Sequence, residues 1–160
     1  MRVGQGFDIH RFSNDPTREL RLGLVTIPDT PGLDGHSDAD VVVHAIVDAL
    51  LGAAGLGDIG EHFSDTDPAL RGIDSRVMLQ HALSLLGDAG WRVLNVDVTV
   101  VAETPRLAPF RAALVQSLTS AVGAPVSVKA TTMEGLGSLG NREGIASLRS
   151  EEHTSELQSH

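Results

Sequence analysis

The sequence predicts an α+β fold: a mixed sheet with helices packed on one face, within a single domain. Three observations carry that expectation. Segments of strand character open the chain, recur in its middle and return later, with helical segments between them. The chain has 160 residues, of which 41% are hydrophobic, enough for one buried core. No internal repeat and no linker divides it.

Arg2 to Asp8 and Glu19 to Ile27 read as strands, and Ser13-Asn14-Asp15-Pro16 between them favours a turn. Ser37 to Ala54 reads as a helix, with Ser37 or Asp38 as N-cap and Gly55 as stop. It is apolar on most sides and should lie deep. Gly57 to Asp67, rich in Gly, Asp and Thr, reads as loop. A second helix is expected from about Ser75 to Ala89, with Val77, Leu79, Leu83 and Leu86 as its apolar stripe and Gly90 ending it. Trp91 to Val101 contains the strict alternation Asn95-Val96-Asp97-Val98-Thr99-Val100 of a half-buried strand. Pro105 to Pro109 leads into a third helix that ends near Val122. Val126 to Ala130 is the last clear strand before a Gly-rich loop from Gly135 to Gly144.

Composition excludes several classes. No run approaches the roughly 18 to 20 apolar residues of a membrane span, and Met1 to Gly6 lacks the apolar centre of a signal peptide. A cytoplasmic protein without a membrane partner is expected. With no cysteine, a metal must be held by imidazole and carboxylate, which narrows the search to seven histidines. A net charge of −9 with 3% aromatic residues offers neither the basic field nor the stacking platforms of a nucleic-acid binder. An anionic substrate would need local help from metals and backbone amides.

Asp8 and His10, two apart on a strand, point to one face and can meet one cation. Asp40, His44 and Asp48 recur every four residues, a polar stripe along an otherwise apolar helix. Three such groups are costly to bury, and a metal with carboxylates behind its ligands would account for them. His44 would then be the third ligand, oriented by Asp40 or Asp48, with a fourth tetrahedral position open to substrate.

Gly4-x-Gly6-Phe7-Asp8-x-His10, His36-Ser37-Asp38-x-Asp40 with His44, and Gly57-Asp58-Ile59-Gly60 running to Phe63-Ser64-Asp65-Thr66-Asp67-Pro68 follow one another in order. Asn95 to Thr99, Ala102-Glu103-Thr104-Pro105-Arg106-Leu107 and Val128-Lys129-Ala130-Thr131-Thr132-x-Glu134 continue the series. Together, from Arg2 to about Leu148, they resemble the 2-C-methyl-D-erythritol 2,4-cyclodiphosphate synthase family. The resemblance implies zinc on Asp8, His10 and His44, and a second ion, Mg2+ or Mn2+, on Glu134. It places His36 and Ser37 over the diphosphate, and Asp58, Gly60, Phe63, Asp65 and Asp67 around the methylerythritol. Ala102, Glu103, Thr104, Pro105, Arg106 and Leu107 would receive cytosine largely through backbone groups. Thr131, Thr132 and Glu134 would meet the phosphates, Met133 would also contact substrate, and His36 and Thr132 would stabilise the transition state. A homotrimer with sites between subunits is also implied, acting on a cytidine diphosphate substrate in non-mevalonate isoprenoid precursor synthesis. A metal-dependent phosphohydrolase and a nucleotide-binding module without turnover are the competing readings; the cytosine segment argues against the first, and two metal sites against the second. His62 and His81 fall outside the motifs and are expected to face solvent.

Two stretches depart from the family pattern. Ser138 and Asn141 stand where the family usually has Phe and Arg near the trimer axis, which leaves an anion pocket there in question. After Leu148 the apolar alternation of a last strand gives way to Arg149-Ser150-Glu151-Glu152-His153-Thr154-Ser155-Glu156-Leu157-Gln158-Ser159-His160. Arg149 to Ser159 reads as one frame of a common sequencing-library adapter. The expected division is therefore a synthase domain over 1–148 and a non-native tail over 149–160, leaving the sheet near Leu148.

Overall fold

A computed structural model describes residues 1–155. Four strands form the main sheet in the order β1 (Arg2–Arg11), β6 (Gly144–Ser155), β4 (Trp91–Val101), β5 (Val126–Thr131). β4 and β5 are parallel and the other neighbours antiparallel, so the sheet is mixed, as expected. Helices α1 (Val41–Ala54), α3 (Ser75–Asp88) and α4 (Arg111–Val122) cover one face. Short helices α2 (Ile59–His62) and α5 (Gly137–Gly140) interrupt the two stretches expected to be loop. β2 (Glu19–Leu22) and β3 (Val25–Pro31) form a separate hairpin.

That hairpin corrects the single strand expected from Glu19 to Ile27. The chain turns at Gly23 and Leu24, both with left-handed φ, 58° and 67°. Leucine rarely accepts that geometry. Here the Asp40 carboxylate takes the N–H groups of Gly23 and Leu24 at 2.9 and 2.8 Å and fixes the turn. Asp40 also accepts from Val43 N, which makes it the N-cap of α1 in place of Ser37 or Asp38. Burial pushes its carboxyl up to about 6, against the pull of those N–H groups. The buried stripe of α3 runs through Ser75, Met78, Leu79, Ala82 and Leu86, and Val77 points outward.

α1 lies directly on the β1–β6 edge of the sheet because β1 has no side chain to hold it away. A Cβ on Gly6 would sit 2.0 Å from the Ala45 carbonyl oxygen, and one on Gly4 2.2 Å from that of Ala49. This close approach brings His44 over the end of β1. The opposite face of the sheet is bare, with Val3, Phe7, Ile9 and Leu148 exposed.

The tail does not leave the sheet near Leu148. β6 continues to Ser155, paired with β1 and β4, and turns Arg149, Glu151 and His153 beneath α1. These side chains find partners there. Arg149 Nη2 and His153 Nε2 lie 2.8 and 2.7 Å from the two Glu151 oxygens. Arg149 and His153 also reach the carbonyls of Ile46 and Leu50 on α1. Ladder pairing and this ion cluster hold the strand where an apolar face was expected; Glu156 to His160 lie outside the described residues.

Candidate active site

Asp8 and His10 project from the inner face of β1, and His44 reaches them from the first turns of α1. Asp8 Oδ2 is 2.9 Å from His10 Nε2 and 3.2 Å from His44 Nδ1. One ligand atom from each residue falls within 4.8 Å of the others, the only such group among the described residues.

The outer nitrogen of each ring settles what the inner one offers. His10 Nδ1 lies 2.7 Å from the Asp34 carbonyl oxygen, which can only accept, so Nδ1 carries the proton. His44 Nε2 sits 3.0 Å from both Ser37 Oγ and Ser75 Oγ. The Ser75 hydroxyl already donates to Asp38 Oδ1, so it accepts from His44. When both rings are neutral, His10 Nε2 and His44 Nδ1 both aim lone pairs at the Asp8 oxygen. Asp8 Oδ2 and His10 Nε2 are buried without a hydrogen bond of good geometry. A cation resolves this convergence, and two nitrogens with one carboxylate oxygen suit Zn2+.

Burial opposes charge on both partners, but each outweighs it for the other. The contacts with His10 and His44 hold the Asp8 carboxyl below its usual range. Asp8 and the Asp34 carbonyl likewise raise the His10 imidazole above its ordinary value.

A cavity of about 340 Å³ opens from this triad and is walled by His36, Ser37, Gly60, Phe63 and Asp65, among others. Asp58 and Asp67 lie outside its wall: Asp58 caps α2 through Glu61 N, and Asp67 caps the turn at Pro68 while its carbonyl meets His36 Nε2 at 2.7 Å. The loop that carries His36 and Ser37 is pinned by Arg18, which donates to the carbonyls of Leu33, Gly35 and Ser37. A second cavity, about 200 Å³, is walled by Ala102, Glu103, Pro105, Arg106, Leu107, Thr131 and Thr132 with three neighbours. Met133 N donates to Glu103 Oε1 at 2.7 Å and ties the two segments together, while Glu134 N donates to Thr132 Oγ1 at 3.2 Å within the second. Thr104, Met133 and Glu134 stand outside that wall.

Two expectations about His44 are corrected. The side chains of Asp40 and Asp48 do not orient it: Asp40 serves the hairpin turn and helix cap, and Asp48 accepts from Ile59 N. Both share the period of His44, Asp40 as the N-cap of α1 and Asp48 within it, but the ring's outer nitrogen points toward the start of α3. Ser75 and Asp38 occupy that place. His62 and His81 are exposed, as expected, with His62 bonded to the Leu56 carbonyl and His81 edge-on to Phe63.

A helix-covered mixed sheet with an Asp-His-His group that could hold a metal, opening into a cavity, defines the class: a small α+β protein with a candidate metal-binding site. More narrowly, the chain belongs to the YgbB family, whose profile matches residues 1–150. It is 55% identical over 148 residues to the 2-C-methyl-D-erythritol 2,4-cyclodiphosphate synthase of Bordetella petrii, covering 91% of this chain and 90% of that one. A solved structure of 2C-methyl-D-erythritol-2,4-cyclodiphosphate synthase in a CDP-bound form superposes with a TM-score of 0.86 at 36% identity, over 96% of this chain and 100% of that one. The bifunctional IspDF of Campylobacter jejuni matches 96% of the chain with a TM-score of 0.91 at 39% identity, and the chain spans 42% of its length.

Proposed function

We propose that this protein converts 4-diphosphocytidyl-2-C-methyl-D-erythritol 2-phosphate to 2-C-methyl-D-erythritol 2,4-cyclodiphosphate and CMP, as a zinc-dependent homotrimer. The observation that carries the reading is the convergence of Asp8, His10 and His44 at a cavity beside His36 and Ser37, in a chain whose relatives bear that enzyme's name. A cytoplasmic location goes with it.

In this reaction an oxygen of the 2-phosphate forms a bond to the β-phosphorus, closing the ring. The bond from the β-phosphorus to the oxygen that bridges to the α-phosphate breaks, and that oxygen leaves with the electron pair as part of CMP. The nucleophile is already anionic, so the protein's work is to fold the substrate on itself and offset charge. His36, held by its Nε2–H on the Asp67 carbonyl, and Thr132 are assigned to the transition state. Zn2+ on Asp8, His10 and His44, and Mg2+ or Mn2+ on Glu134, would supply Lewis-acid charge neutralisation at the phosphates. One carboxylate is a usual protein share of a magnesium site completed by substrate phosphates. Phosphorus NMR with a CMP assay tests the reading: a cyclic diphosphate with equimolar CMP supports it. Free inorganic phosphate would indicate a phosphohydrolase, and bound but unchanged substrate a binding module.

Two features support assembly. The bare sheet face presents Val3, Phe7, Ile9 and Leu148 to solvent in one chain. The two cavities share no wall residue and lie at the same end of the sheet on its opposite edges, three strand spacings or roughly 14 Å apart. A site between subunits would bring one chain's β5 edge to its neighbour's β1 edge. Inactive His44→Ala and Glu134→Ala proteins, mixed and allowed to exchange subunits, should then recover part of the activity through hybrid sites. No recovery in trimers shown by mass spectrometry to be mixed would place each site within one chain.

The same reading treats residues 149–160 as foreign to the domain spanning 1–148. It is supported by the charged cluster that β6 buries beneath an apolar helix, and by a family match that ends at residue 150.

A further inference from the structure

The polar network behind His44 draws on parts of the chain far apart in sequence. Ser75, the first residue of α3, is fully buried. Its backbone N–H donates to Asp38 Oδ2 at 2.9 Å, and its hydroxyl donates to Asp38 Oδ1. Arg21 stands behind, with Nε 3.7 Å from Asp38 Oδ2 and Nη2 3.3 Å from Asp74 Oδ2. A carboxylate has no proton to return, so the Ser75 hydroxyl commits its only proton to Asp38. Toward His44 Nε2 it can act only as an acceptor. Ser37 Oγ lies at the same distance from Nε2 and accepts from Ala39 N with one lone pair, which leaves its second lone pair able to accept from the ring as well.

We propose that Asp38 and Ser75 are positioning residues that fix His44 in the Nε2–H tautomer, so that its Nδ1 lone pair faces Asp8 and the metal. This rests on the reading of Asp8, His10 and His44 as metal ligands. A neutral imidazole free to choose would divide itself between two tautomers, one of which turns an N–H at the metal. The relay from Asp38 through Ser75 removes that tautomer and leaves the Ser37 hydroxyl free to donate into the cavity, whose wall it joins. It also fixes the loop before α1 to the start of α3, so ring angle and loop position are set together.

Asp38→Asn tests the relay with little change of volume. An amide has one accepting oxygen for the two donors of Ser75. Of the two backbone donors, which cannot turn, Ser75 N lies 2.9 Å from Oδ2 and Asp40 N 3.2 Å from Oδ1, so the closer Ser75 N–H keeps the amide oxygen and the new NH2 donates to Ser75 Oγ. The hydroxyl then rotates its proton toward His44 Nε2, which favours the Nδ1–H tautomer. In metal-free protein at alkaline pH, imidazole 15N NMR should report Nε2–H for His44 in the parent and Nδ1–H in Asp38→Asn. Zinc affinity, measured by competition with a chromophoric chelator, should fall about 10- to 100-fold in Asp38→Asn and Ser75→Ala. Metal-free melting separates this from loss of fold. A parent His44 in the Nδ1–H form overturns the proposal without any variant, as does Asp38→Asn with unchanged tautomer and affinity within about twofold of the parent. If the parent takes up no zinc, the metal reading fails, and the tautomer measurement still decides the relay.

Discussion

Protein carrying His44→Ala should emerge from purification with far less zinc than the parent, and its turnover should fall by more than the roughly 10- to 100-fold that loss of an outer hydrogen-bond partner costs. In the proposed site His44 is one of three candidate protein ligands. Two ligands cannot hold the closed side of a tetrahedral site against water. Loss of metal also has a reading in stability, because an ion that binds only the folded state adds about 4.1 kcal/mol at a thousandfold excess over its dissociation constant. For a chain of this size that corresponds to roughly 8 to 16 °C in melting temperature, present in the parent on adding zinc and absent in the variant. The pH dependence has a defined sign. Metal binding needs neutral His10, and Asp8 raises the imidazole's tendency to hold a proton in the metal-free state. Zinc affinity should therefore be full at alkaline pH and fall as pH drops through the raised His10 value. Elemental analysis showing full zinc in His44→Ala would remove His44 from the ligand set.

The part of the site that was legible in the sequence is the part carried by period. Asp8 and His10 share a strand face, and a polar residue on a buried helix demands a partner, so spacing singled out the pair and His44 while the family resemblance joined them into one triad. Asp40 and Asp48 have the same period as His44 and were assigned to it for that reason. They serve other structures because a ring's outer nitrogen can be met from any element that packs nearby. Ser75 sits thirty-one residues beyond His44, at the start of a helix that only tertiary packing brings there. Nothing in the spacing of Asp38 and Ser75 announces their contact. The hairpin turn at Gly23 and Leu24 was missed likewise, because a leucine with left-handed φ is stabilised by a carboxylate sixteen residues away. The helices and the strand from Trp91 to Val101 were legible because their patterns are long and uninterrupted.

The charged face of β6 leads to a pair of results of opposite sign. Arg149, Glu151 and His153 put charged and polar side chains where a helix-covered strand would carry aliphatic ones; Gly6 and Val98 flank Arg149, and Gly4 and Val96 flank Glu151. Burial lowers the Arg149 guanidinium to about 10 even with Glu151 beside it, a direct sign that its charge is disfavoured there. Arg149 Nε and His153 Nδ1 are buried without partners. Removing one member leaves the others uncompensated, so Glu151→Ala should cost about 3 to 5 kcal/mol. The melting temperature would then fall by roughly 6 to 20 °C. Replacing all three at once, as Arg149→Leu, Glu151→Val and His153→Leu, removes the desolvation penalty together with the pairing. Such exchanges are neutral or stabilising by about 1 to 4 kcal/mol, which corresponds to a rise of up to roughly 16 °C. The Asp8–His10–His44 triad lies one row beyond, where Ser147 pairs with Asp8, so metal content should not change in the triple variant. Thermal melting of both proteins beside the parent decides the matter. A triple variant that melts well below the parent would mean that this ion cluster belongs to the fold, and that residues 149–155 are a native end of β6 rather than a foreign one.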